Sequence, residues 1–299
     1  MKPIPDVTTF IAALVVKSAA ALAALDERRH QLLAHHLGFE PKCPVEPVYV
    51  LGDSHTLFFA GEDGMNQVKH RRVGFWRPRY ITRGLDLLPC FHTRHLGPAT
   101  AWRAFDYGSS TRSREKIDAL VRHEFKPGDR VLLFFGEIDC RCHIPKIALA
   151  GNLIAPGVHK TVERFLELMK HLKSRDLQVA VWGPAMVINS DQTVVGNPLP
   201  TIGSYELRAT VIQAYCHELG QGCASLKIPC VCLAGTYHEW NKPAAPQFFA
   251  DGFHLSQCLM PDVLRVLRDK GVLTLSCSDA AQTLADPAQS SGEFCHPLP

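Results

Sequence analysis

Short apolar runs alternate along this chain with stretches of helical periodicity. The runs fall at 47–52, 131–135, 177–187 (broken by Gly183-Pro184) and 228–235, and a further short strand is expected around Phe91–Leu96. Between them, residues 158–174 place Val162, Phe165, Leu166, Met169 and Leu172 at helical spacing, and 204–219 read as a second helix. Residues 260–271 predict a closing helix, with Pro261 in its first turn and Gly271 just past its end. The runs are continuous rather than alternating, as in strands buried on both faces. Strands of that kind interleaved with helices predict an α/β fold, a mainly parallel sheet between two helical layers.

The pattern divides the chain into a helical N-terminal extension (1–45), a main domain (46–275) and a mobile tail (276–299) rich in Ser, Ala, Pro and Asp. Within the extension, residues 7–37 read as a helix or two. Its apolar stretch "FIAALVVKSAAALAAL" is interrupted by Lys17, preceded by Asp6 and flanked by a basic region of only Lys2. A weak secretion signal is the alternative reading. No run reaches the roughly 20 apolar residues of a membrane span, so no membrane is expected.

Composition adds three limits. The 299 residues, 46% of them hydrophobic, are enough to bury a sizeable core. A net charge of +3 is too small to argue for nucleic acid. Eleven cysteines, an odd number without the spacing of a disulfide framework, fit a reducing cytoplasm with most thiols buried.

Candidate chemistry sits at the strand ends. The first strand runs into Gly52-Asp53-Ser54-His55 and the third into Gly136-Glu137-Ile138-Asp139. In open parallel sheets, ligands bind beyond the carboxyl ends of the strands. Serine is a poor nucleophile unless a base takes its proton and a third group fixes that base. The late segment "FFADGFHLS" offers Asp251 and His254, with Gly252 letting the chain bend between them. Taken alone, that pair reads more simply as a turn cap and a surface histidine.

The combination carries more. "GDSH" after the first strand, "HLGPATAW" after the second, "VLLFFGEID" and the late "DGFHL" resemble, in their order, the blocks of the GDSL or SGNH hydrolase superfamily. The resemblance spans roughly residues 47–270 and implies a three-layer α/β/α sandwich with a flavodoxin-like sheet. It implies Ser54 as nucleophile, Asp251 as orienter and His254 as base, with the N–H groups of Ser54 and Gly97 as oxyanion donors. One position departs from the family. Its third block, Gly-x-Asn-Asp, here reads Gly136-Glu137-Ile138-Asp139, so Ile138 stands where an amide should meet the oxyanion. Loss of one such donor typically costs on the order of 10²–10³ in turnover. Either two backbone donors suffice, or Arg141 substitutes, or the reaction is lost or changed. Arg141 reads equally well as a salt bridge to Glu137 or Asp139. His55 reads as packing on the following helix or as lining the pocket, and Asp53 as a turn brace bonded to backbone N–H groups. His55, Glu137, Asp139 and Arg141 are thus candidate participants.

Rival readings keep other residues in view. Asp53-x-His55, with Asp139, Cys140, Cys142, His143 and His254, could begin a two-metal phosphoesterase. Its remaining motifs are missing, and the late Asp-x-x-His is left unexplained. The "CRCH" segment lacks the second half of a structural zinc site. The basic, aromatic-dotted stretch 68–83 suits a solvated insertion first, then a specificity loop for an anionic or sugar substrate, and last single-stranded nucleic acid. The loop 189–204 is expected to shape the pocket. The sequence therefore predicts a serine esterase without metal or cofactor, removing a small acyl group from a carbohydrate or other small ester. An acyltransferase on the same triad and a degenerate binding module are the remaining alternatives.

Overall fold

The computed structural model describes residues 46–61, 87–184, 200–234, 244–250 and 253–274, the backbone of 71–72 and 82–83, and several helical positions between 21 and 36. Its centre is a sheet of β1 (Val48–Gly52), β2 (Arg71–Arg72), β3 (Thr82–Arg83), β4 (Phe91–His95), β5 (Arg130–Phe134), β6 (Gln178–Trp182) and β7 (Cys230–Val231). The order across the sheet is β2-β3-β4-β1-β5-β6-β7. From β4 to β7 every pairing is parallel, with Val50 opposite both Thr93 and Leu132. Among these five strands the second in sequence precedes the first in space, which is the flavodoxin-like order. The topological switch point lies between β1 and β5.

Helices cover both faces: α1 (Ser113–His123), α2 (Ile144–Leu149), α3 (Ile154–Lys173), α4 (Tyr205–Ser225) and α5 (Met260–Asp269). Alternate residues of each strand serve opposite layers. Val131, Leu133 and Val181 pack with Phe165, Met169, Ile212 and Tyr215 from α3 and α4. Leu132, Phe134 and Trp182 pack on the other face with Met260, Val263 and Leu267 from α5 and with Leu33 near the N-terminus. Burial on both faces is why β1, β5 and β6 are largely apolar throughout, whereas β4 buries Thr93 and Arg94 as well. Among the described residues, no helix is long and apolar enough to cross a membrane.

Boundaries moved where local chemistry outweighs periodicity. Helix α4 begins where the Ser204 hydroxyl accepts from the Leu207 N–H at 3.3 Å, and it continues past 219 to Ser225. The run at 228–235 yields only the two-residue β7, which pairs with the end of β6 alone. The stretch 68–83 contributes β2 and β3, an antiparallel edge on β4. The rest of that stretch, most of the loop 189–204 and the expected tail 276–299 lie outside the described residues.

Candidate active site

At the carboxyl end of β1 the chain must turn sharply while staying beside β5. A Cβ on Gly52 would fall 2.0 Å from the Phe134 carbonyl oxygen, so only glycine fits there. The next residue, Asp53, is fully buried, and its carboxylate accepts the His55 N–H at 2.9 Å. That bond caps a 3-10 helix, Ser54–Ala60, whose body is buried against the sheet. Ser54 stands at the head of this helix, half-buried and reachable.

His254 arrives from the far end of the sequence. A bridge between Phe249 and Leu255 flanks its turn, and the Ala250 N–H donates to the His254 carbonyl at 2.8 Å. The Gln257 side-chain amide donates to the Phe58 carbonyl at 2.7 Å and ties this segment to the 3-10 helix. The result brings His254 Nε2 to 2.9 Å from Ser54 Oγ. Ser54 donates in that bond when the imidazole carries its proton on Nδ1. Asp251, the residue expected to face Nδ1, lies outside the described residues.

The switch point also brings β4 and β5 to Ser54. The Leu96 N–H donates to the Gly52 carbonyl at 2.8 Å, which sets Gly97 directly after the β1–β4 pairing. Among the described residues, neither the Ser54 nor the Gly97 backbone N–H has a hydrogen-bond acceptor. The loop after Gly97 is held from two sides. Asp139 accepts from the Ala101 N–H at 2.7 Å and from the Trp102 N–H at 3.4 Å, and Arg164 Nε donates to the Trp102 carbonyl at 2.8 Å. Burial pushes the Asp139 carboxyl up to about 7 despite those amide donors. Asp139 is therefore a brace for the Gly97 loop. Its role depends on a contact 38 residues back along the chain, which no local sequence pattern signals.

Beside the Ser54–His254 pair runs a chain of buried charges. His55 Nε2 lies 3.2 Å from Glu137 Oε2. Arg141, one helical turn on, grips the same carboxylate through Nε at 2.7 Å and a terminal nitrogen at 3.2 Å. Burial alone would raise Glu137. The Arg141 guanidinium and His55 outweigh it and hold the carboxylate far below the ordinary range. Burial likewise opposes a charge on His55, but the Glu137 and Asp53 carboxylates raise its pKa overall. Asp53 is pushed up to about 6 by burial, against the pull of the His55 charge. The His55 ring lies 4.6 Å from the His254 ring, centroid to centroid, and 5.5 Å from Phe134. His55 is thus more than packing on the turn: it links the Glu137–Arg141 pair to the ring of His254.

Arg141 pairs with Glu137 rather than Asp139, and its guanidinium carbon lies 4.9 Å from the Phe253 ring centroid. Ile138 is buried and offers no donor. The residues of the metal reading do not converge. Asp53 caps the turn, His55 faces Glu137, Cys140 and Cys142 are buried thiols and His143 is exposed. Among the described residues, no three His, Cys, Asp or Glu side chains gather as a metal ion would require.

No family model matches the sequence, and no curated protein does so either. Among solved structures, the chain is similar to a carbohydrate acetylesterase from Sinorhizobium meliloti. The two are 17% identical with a TM-score of 0.40, over 76% of this chain and 98% of that one. A catalytic mutant of an acetylxylan esterase from Geobacillus stearothermophilus gives 16% identity and a TM-score of 0.42, covering 76% and 94% of the respective chains. An extracellular lipase from Streptomyces rimosus gives 13% and 0.40, covering 75% and 99%.

Proposed function

We propose that this chain is a serine esterase. The observation that carries the reading is the 2.9 Å approach of His254 Nε2 to Ser54 Oγ at the switch point of a parallel sheet. The backbone N–H groups of Ser54 and Gly97, without an acceptor among the described residues, supply the donors that ester cleavage needs.

In the proposed reaction, Ser54 Oγ attacks the acyl carbonyl as its proton passes to His254 Nε2. The electron pair displaced onto the carbonyl oxygen is met by the Ser54 and Gly97 N–H groups. Collapse of the tetrahedral adduct breaks the ester bond, and His254 returns the proton to the leaving alcohol. Water, deprotonated by the same imidazole, then releases the acid and restores Ser54. Asp251, from its place three residues before His254, is assigned to hold the Nδ1 proton. The substrate class we assign is a small acyl ester of a carbohydrate or similar alcohol. That assignment rests on the block resemblance and on the basic, aromatic stretch 68–83. A sugar hydroxyl in place of water in the second step makes the same site an acyltransferase.

Ile138 favours one other reading, a binding module in which the reaction has been lost. Hydrolysis of p-nitrophenyl acetate separates the two. The esterase reading expects turnover above background that falls by about 10³ or more in Ser54→Ala and in His254→Ala. Equal rates in the wild-type protein and both folded variants would leave the binding module standing.

A further inference from the structure

The opposite edge of the sheet holds a second concave site. It lies at the amino ends of β5 and β6, about 16 Å from the Ser54 edge by the length of five strand residues. The cavity measures about 370 Å³ and is formed by one face of α1, the end of α3 and the turn that leads into β5. That volume falls in the range of small-molecule sites.

Four cations line it, Arg114, Arg122, Lys126 and Arg175, against the single carboxylate of Asp118. The whole chain has a formal net charge of only +3, so this one hollow carries as much positive charge as the entire protein. Asp118 does not offset the rim. It accepts from Tyr107 Oη at 2.6 Å, from Arg114 Nε at 3.0 Å and from His171 Nε2 at 3.1 Å. These bonds build a rigid floor, with the Arg114 guanidinium 3.7 Å from the Phe105 ring centroid. Arg122, Lys126 and Arg175 have no side-chain partner among the described residues.

A plainer account is that cations near helix ends complement the helix dipole. It covers Arg122 at the end of α1 and Arg175 just past α3. It does not cover Lys126, which stands in the turn before β5. Nor do the carbonyls at these ends need a cation. Leu120 accepts from the Glu124 and Phe125 N–H groups, and Lys170, Leu172 and Lys173 accept from those of Ser174, Arg175 and Asp176. The three rim cations are left facing an open hollow.

We propose that this cavity binds a small phosphorylated molecule, its phosphate oxygens held by Arg122, Lys126 and Arg175 and its organic part lying against Phe125. Two guanidinium forks and an ammonium suit a multiply charged anion better than a single carboxylate. A hollow of this size suits one small molecule, whereas nucleic acid needs a groove or stripe. The site is independent of Ser54 and of the esterase reading.

Isothermal titration of the full chain with inorganic pyrophosphate at low ionic strength tests it. The expected result is binding of one pyrophosphate per chain. Arg175→Gln should weaken it about 10-fold and Arg122→Gln with Arg175→Gln about 100-fold. These side chains are exposed, so the variants keep their fold, which thermal melting checks. No binding to the wild-type protein, or equal affinity in the folded double variant, overturns the proposal. A twenty-nucleotide single strand that binds several chains, and loses them in the same double variant, overturns it in favour of a nucleic-acid surface.

Discussion

His254 Nε2 stands 2.9 Å from Ser54 Oγ, although 200 residues of sequence separate them. The sheet makes that contact possible: β1 delivers Ser54 at its carboxyl end, and the turn flanked by the Phe249–Leu255 bridge delivers His254. The chemical reading depends on this pair, and the surrounding residues determine how well the pair can work.

Ile138 is the first of these. On the esterase reading, the buried Ile138 leaves the Ser54 and Gly97 backbone N–H groups to meet the developing charge. Ile138→Asn restores an amide there. It should raise kcat for p-nitrophenyl acetate by about 10-fold or more with little change in KM, since a full donor is worth on the order of 10²–10³. The buried amide should cost about 1–3 kcal/mol of stability in urea titrations. A folded Ile138→Asn protein with unchanged or lower kcat would show that position 138 does not face the oxyanion.

Glu137 holds two groups at once, the buried His55 imidazole and the partly buried Arg141 guanidinium. Glu137→Gln leaves both without their carboxylate and should cost about 3–5 kcal/mol in chemical denaturation. The exposed pair Arg265–Asp262 is the contrast, and Asp262→Asn should shift stability by no more than about 1 kcal/mol. Similar losses in the two variants would mean that the Glu137 network contributes no more than a surface pair.

Asp139 predicts a pH dependence. Its folded pKa stands at about 7 against an ordinary value of 3.8. Between those values the unfolded chain has released this proton while the folded chain retains it. This group's contribution to stability therefore falls as pH rises from about 4 to 7. Asp53 acts in the same direction up to about 6. Glu137 acts oppositely: its contribution is complete above the ordinary glutamate range and is lost only as pH drops toward its depressed folded value. Asp139→Asn keeps an acceptor for the Ala101 N–H and removes the ionisation. The melting temperature of the variant relative to wild type should therefore rise between pH 4.5 and pH 7.5. A constant difference across that range would contradict the assignment.

Much of this arrangement is legible in the sequence. Continuous apolar runs mark β1, β5 and β6 because burial on both faces leaves little room for polar alternation, while β4, Phe91–His95, is polar through its middle and shows no such signal. Ser54 stands out at the end of a buried strand, whereas His254 reads alone as a surface histidine and becomes a candidate only in combination with the other blocks. Asp53 reads as a turn brace and Arg141 as a partner of Glu137 or Asp139, and only the structure decides for Glu137. Other parts carry no local signal. Helix α1, "SREKIDALVRH", is too polar for its periodicity to show, and β2 and β3 are two-residue strands inside a charged stretch. The contacts of Glu137 with His55 and of Asp139 with the Gly97 loop join segments that only the sheet brings together. The basic cavity is likewise assembled from three separate segments.

The most direct test of the central claim is intact-mass analysis after reaction with a fluorophosphonate, with and without a chelator. The account predicts one adduct per chain on the wild-type protein, no adduct on Ser54→Ala, and no effect of the chelator. An unlabelled wild-type protein, or labelling that persists in Ser54→Ala, would contradict it.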